Sequence, residues 1–165
     1  MKRTLALLYG AVCYVAFLGA FLYAIWFVWT LDAPAAGEPR LRSLLINLGL
    51  LSLFAVQHSV MARQWFKRGW TRIVPAPVER STYVLLASAV LFLLISAWHP
   101  IRGLIWSVDN RAGVLIFQAI FWAGWAIVLV STFLIDHFEL FGLRQVWTYW
   151  RGDEYQPPAF QVSGF

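Results

Sequence analysis

Four long apolar runs, separated by short polar connectors, set the pattern of the chain. They cover Leu5 to Leu31, about Ser43 to Met61, about Ser81 to Trp98 and about Val114 to Ile135, and none contains a charged side chain. A membrane-crossing helix needs about 20 mainly apolar residues. The pattern therefore predicts an all-α, polytopic membrane protein with four transmembrane helices in one membrane domain spanning 1–165. Lys2 and Arg3 precede the first run, as in a secretory signal. That run, however, far exceeds the roughly 7–15 apolar residues of a cleaved signal. It reads as a retained signal-anchor helix, with cleavage near "APAA" at 33–36 as the alternative.

The connectors differ in charge. Residues 32–40, "DAPAAGEPR", form a Pro/Ala/Gly loop, and residues 62–80 read as a basic loop with "PAP" at 75–77. Residues 99–113 form a short loop, and a polar-aromatic tail runs from 136 to 165. Four spans place the amino terminus, the second loop and the tail on one side. That side carries Lys2, Arg3, Arg63, Lys67, Arg68, Arg72, Arg80, Arg144 and Arg151, most of the 13 basic residues. The positive-inside rule then makes it cytoplasmic, with both termini inside. The tryptophans suit interfacial belts: Trp26, Trp29, Trp98 and Trp106 near the outer ends, Trp65, Trp70, Trp147 and Trp150 near the inner. Trp122 and Trp125 fall mid-span and are expected to pack between helices.

Composition narrows the class further. The chain is 61% hydrophobic and 13% charged, against about 45–50% and 25% for soluble domains. Its net charge of +5 sits between apolar blocks, which argues for membrane orientation and against a nucleic-acid partner. The single cysteine, Cys13, lies in the first run and offers no intrachain disulfide. Oligomeric state is not encoded in any visible pattern.

Candidate chemistry gathers at the inner ends of the spans. Gln57 and His58 close span two, followed by Arg63; Glu79, Arg80 and Tyr83 open span three; Asp136, His137 and Glu139 close span four. Ionisable groups at membrane depth are costly and face a bundle interior or a water-filled cavity. Glu79 and Tyr83 are four apart, and Arg80 and Tyr83 three apart, so they share a helix face. His99 stands at the opposite end. No Gly-rich phosphate loop, HExxH motif or zinc-type Cys/His spacing is present, so no metal is assigned. Two other classes stay open: a b-haem electron carrier ligated by His58 and His137, and a non-catalytic membrane anchor.

Three segments carry a family resemblance: "QHSVMAR" at 57–63, "FKRGWTRIVPAPVERSTYVLLAS" at 66–88 and "VLVSTFLIDHFELFGLRQVW" at 128–147. In that order they resemble the methanethiol S-methyltransferase family, which is related to the isoprenylcysteine carboxyl methyltransferases and more loosely to NnrU-type membrane proteins. The resemblance covers about 40–160. It implies a multi-pass enzyme of the bacterial inner membrane that methylates methanethiol to dimethyl sulfide with S-adenosylmethionine. In the wider group an Arg-His-Pro motif and further helices near the carboxy terminus bind the cofactor. That motif does not follow "QPPAF" here, and His99–Pro100 is no substitute. The resemblance thus implies the N-terminal portion of a longer enzyme, with most cofactor-binding residues beyond 165, or else a short form without the activity. A thiolate is the required nucleophile. By type, His58, Arg80 and His137 are the catalytic candidates, with Gln57, Arg63, Glu79, Tyr83 and Asp136 as pocket candidates. Glu79 or Asp136 would orient a histidine.

Overall fold

The computed structural model describes residues 1–31, 40–101 and 107–156. The first loop, Arg102, Trp106 and the chain from 157 onward lie outside the described residues. Among the described residues seven helices follow in order: α1 (Lys2–Trp29), α2 (Arg40–Met61), α3 (Gln64–Trp70), α4 (Ala76–Ser96), α5 (Arg111–Ile135), α6 (His137–Leu140) and α7 (Leu143–Arg151). No strand occurs among the described residues. Helices α1, α2, α4 and α5 are each long and apolar enough to cross a membrane. At 1.5 Å per residue each is about 30 Å or longer, the thickness of a hydrocarbon core. The protein is multi-pass, as the apolar pattern predicts.

Residues 62–80, expected to be a loop, are partly helical. α3 occupies 64–70, and α4 begins at Ala76, just after Pro75. Pro77 falls in the first turn of α4, where a missing N–H costs nothing because no intrahelical acceptor waits for it. Apolar counting starts the span only at Ser81, because the charged pair Glu79–Arg80 hides the first turn. α5 starts on the Asn110 side chain, whose Oδ1 accepts from the Gly113 amide at 2.7 Å, a standard N-cap bond.

The spanning helices alternate in direction. At one end lie the start of α1, the end of α2, the start of α4 and the end of α5, joined by α6 and α7. There Arg3 lies over the Tyr149 ring at 5.8 Å, and Tyr9 bonds Thr82 at 3.0 Å. At the other end Asn47 clamps the chain after α4: its Nδ2 donates to the His99 carbonyl at 2.7 Å and its Oδ1 accepts from the His99 amide at 2.9 Å. His99 does stand apart from the other histidines. The amino terminus, α3 and α7 thus share one end.

α1 packs chiefly on α4 and α7. Its buried residues are Gly10, Cys13, Ala20 and Ala24, all small, which lets helix backbones approach closely where no water drives them together. Two apolar clusters result. Met61, Tyr83, Val84 and Phe141 form one, and Ala24, Leu94 and Ile95 the other. α5 buries no residue of its own. It touches α1 through Trp125 on Phe21 (5.3 Å between ring centroids) and Trp122 on Trp29 (5.8 Å). Trp125 packs between helices as expected, whereas Trp122 is 54% exposed.

The turn between α6 and α7 is seated on the start of α4. Gly142 there has φ +82°, and an added Cβ would lie 2.7 Å from the Ser81 amide nitrogen and 2.8 Å from its Oγ. Only glycine meets both demands. Gly142→Ala should cost about 2 kcal/mol or more, read as a lower thermal unfolding midpoint in detergent. Gly69→Ala is the contrast: nothing lies within 4 Å of the added Cβ, so the midpoint should hold or rise slightly.

Candidate functional site

The eight sequence-derived candidates all lie at the end shared by the amino terminus, α3 and α7, but they sort into three groups. The first joins α2 to α4. The Tyr83 hydroxyl sits 3.1 Å from His58 Nδ1, 3.3 Å from Nε2 and 3.3 Å from the His58 carbonyl. A phenol has one proton to give, so it serves one of these acceptors at a time, and the exposed imidazole keeps a nitrogen available to a ligand. Phe54 stacks on His58 one turn earlier at 5.5 Å. Arg80 covers the Tyr83 ring at 5.6 Å and donates from Nε to the Leu140 carbonyl at 3.0 Å. Gln57 Nε2 donates to Met61 Sδ at 3.1 Å, and its Oε1 is buried without a partner. Arg63 is exposed at the N-cap of α3.

The second group surrounds His137, which is buried. Thr132 Oγ1 can donate to the Leu129 carbonyl at 2.7 Å. The same oxygen lies 2.8 Å from His137 Nδ1. Nε2 lies 2.7 Å from the Tyr14 hydroxyl, so each ring nitrogen has a hydroxyl partner in either tautomer. Phe133 stacks on the ring at 4.2 Å. Both nitrogens are used within the bundle, which leaves no lone pair for a haem iron unless one of these bonds is given up. Beside it, Asp136 adopts φ 125°, a region that strains any side-chain-bearing residue. Two bonds hold it there: its Oδ1 accepts from the Glu139 amide at 3.1 Å and its Oδ2 pairs with Arg144 at 2.6 Å. Asp136 thus orients the α5–α6 bend rather than a histidine. Glu79 likewise orients no histidine: it pairs with Lys67 Nζ at 3.1 Å.

The third group encloses a cavity of about 610 Å³ between α3, the start of α4, α7 and Tyr155. Lys67, Arg68, Glu79, Gln145, Tyr149 and Tyr155 are among its lining residues. Of the eight candidates only Glu79 reaches it. Gln145 Nε2 donates to Glu139 Oε1 at 2.6 Å and to the Tyr155 hydroxyl at 3.2 Å, and Tyr155 also donates to Glu139 Oε1. Burial, with Glu139's carboxylate alongside, pushes the Tyr155 phenol up to about 12. Arg80's charge acts weakly the other way, so the first group lies within electrostatic reach of the third. Gln145 Oε1 and Glu139 Oε2 are buried with no partner. Sequence reading missed Gln145, Glu139's role, Tyr149 and Tyr155. The family-like "LRQVW" segment marked the place of Gln145, but Tyr155 joins it only through the fold.

Burial lowers the His137 pKa from its ordinary 6.5. The unfolded chain then takes up a proton near pH 6.5 that the folded chain refuses until lower pH, so folding stability falls as pH drops below 6.5. Thermal unfolding at pH 5 should come earlier than at pH 7.5. In His137→Gln the share of that shift owed to this ring should disappear.

No family model matches the chain, and no solved structure does. Curated relatives do. A protein named methanethiol S-methyltransferase from Mycobacterium tuberculosis is 54% identical over 167 residues, 98% of this chain and 68% of that protein. One of the same name from Crocosphaera subtropica is 50% identical over 170 residues, all of this chain and 67% of that protein. A Nurim homologue from Drosophila pseudoobscura is more distant, 28% identical over 143 residues, 84% of this chain and 56% of that protein. The chain spans about two thirds of the length of the first two.

Proposed function

Because the chain belongs to the methanethiol S-methyltransferase family, we propose that it transfers a methyl group from S-adenosylmethionine to a small thiol. With methanethiol the product is dimethyl sulfide, and the setting is the inner membrane of a bacterium with α3 and α7 facing the cytoplasm. The observation that supports this most directly is the 54% identity to the mycobacterial relative across nearly the whole chain. The identity spans every element that builds the polar end.

The residues at that end suit the chemistry. The methyl donor, when bound, supplies an electrophilic carbon on a sulfonium sulfur. The chain's own part is to bring a thiolate into line with it, because alignment of the two reacting atoms supplies much of the rate. His58 has the open nitrogen needed to take the thiol proton. Arg80, fixed by Leu140 and Tyr83, places a permanent positive charge that favours the thiolate over the thiol. Tyr83 holds the imidazole in place. His137, with both nitrogens occupied, holds α1, α5 and α6 together as a positioning residue. A small apolar thiol partitions into lipid and reaches this end of the bundle from the bilayer. The donor is larger, and its polar groups match the cavity: an acceptor on Gln145 with no partner among the described residues, and cations on Lys67 and Arg68.

Membranes carrying the protein, supplied with methanethiol and methyl-labelled S-adenosylmethionine, should release labelled dimethyl sulfide into the headspace. His58→Ala should lower that rate about tenfold or more with membrane insertion intact, while Tyr83→Phe should cost less. Absence of labelled product from the wild type would sink the proposal. Normal turnover by His58→Ala would leave the histidine a purely structural role.

A further inference from the structure

The cavity between α3, α4 and α7 is lined by groups of both signs, Lys67 and Arg68 from α3, Glu79 from α4 and Asp153 after α7. Among its lining residues Gln145, only 7% exposed, has an Oε1 with no donor among the described residues. Its Nε2 is held by Glu139, which does not itself line the cavity. An unpaired acceptor buried away from water is costly, and one backed by a carboxylate asks for a ligand that brings N–H groups, ideally with positive charge. On the opposite wall Lys67 is committed to Glu79, whereas Arg68 is exposed and has no ion pair among the described residues. A guanidinium in that state is a carboxylate receptor. The volume of about 610 Å³ falls in the range of small-molecule sites, about 300–1,000 Å³.

We infer that this cavity receives the amino-acid end of the methyl donor, its ammonium directed to Gln145, with the Glu139 carboxylate behind that side chain, and its carboxylate to Arg68. The inference rests on the methyltransferase reading and deepens it. A donor seated this way is recognised by residues within 64–155. Tyr155 completes the floor. By donating to Glu139 Oε1 it leaves Oε2 as the free oxygen, and its raised pKa keeps it a donor at neutral pH.

Two probes separate the amino-acid end from the rest of the donor: S-adenosylhomocysteine, which has it, and 5′-methylthioadenosine, which lacks it. Binding of each to the purified protein in lipid nanodiscs is measured by calorimetry. The wild type should bind S-adenosylhomocysteine at least tenfold more tightly. Glu139→Gln should erase most of that preference, and Arg68→Ala should reduce it at least threefold, with the affinity for 5′-methylthioadenosine unchanged in both. Arg68 is an exposed side chain, so its variant tests the inference even if the Glu139 variant fails to fold. Equal wild-type affinity for the two probes, or parallel losses for both in the Arg68 variant, overturns the inference and leaves the methyltransferase reading standing. A wild type that binds neither probe overturns both.

Discussion

The contact on which the polar end depends is the seating of the α6–α7 turn on the first turn of α4. Gly142 comes so close to Ser81 that a single methyl group would collide with its backbone nitrogen. Arg80 and Ser81 then donate to the carbonyls of Leu140 and Gly142, satisfying groups left over where α6 ends. This one docking fixes three things. It places α7 against α1, where Val146 fills the space left by Gly10. It brings Gln145 to the floor of the cavity. And it holds the Arg80 guanidinium between Tyr83 and the turn, where its charge bears on His58's partner and on Tyr155.

Lipid makes such completeness a condition of stability. Water is absent from the hydrocarbon core, so an unpaired polar group has no fallback partner. His137 meets that condition through two hydroxyl partners, Thr132 at Nδ1 and Tyr14 at Nε2, which serve either neutral tautomer. The ring is thereby kept neutral and rigid. The strained backbone of Asp136 next to it persists because its carboxylate both caps α6 and binds Arg144. The bend it creates turns the chain from the spanning direction of α5 into the docking turn.

Much of this was legible along the chain, for identifiable reasons. The four spans follow from apolar runs alone, since length and absence of charge are local properties. Their starts were placed late for α4 because Glu79 and Arg80 read as loop residues, although the proline pair at 75 and 77 marks a helix start. The gathering of polar groups at one end was also visible, because alternating spans fix which ends are neighbours. What pairs with what was not. His58 with Tyr83, Lys67 with Glu79, and Tyr155 with Glu139 depend on helix rotation and on a turn whose geometry one glycine decides. Asp136 and Glu79, which by type suited the orientation of a histidine, are instead taken by Arg144 and Lys67.

The pattern of satisfaction itself separates the candidate residues. A group whose every bond is closed inside the bundle has no capacity left for a ligand without paying to break one. His137 and Asp136 are in that condition, so their contribution is to shape, whereas Glu79 lines the cavity with one oxygen paired to Lys67. Among the described residues His58, Gln145 and Glu139 each retain an unused nitrogen or oxygen, and Arg68 has no ion pair. The first lies at the apolar edge, Gln145 and Arg68 line the cavity, and Glu139 stands behind Gln145. Arg80 stands between them, and its position is set by the same turn that closes the cavity floor. In the proposed methyl transfer, a thiol arriving from lipid and a polar donor arriving from water would meet near this arginine, which donates to the Leu140 carbonyl at the turn that Gly142 seats.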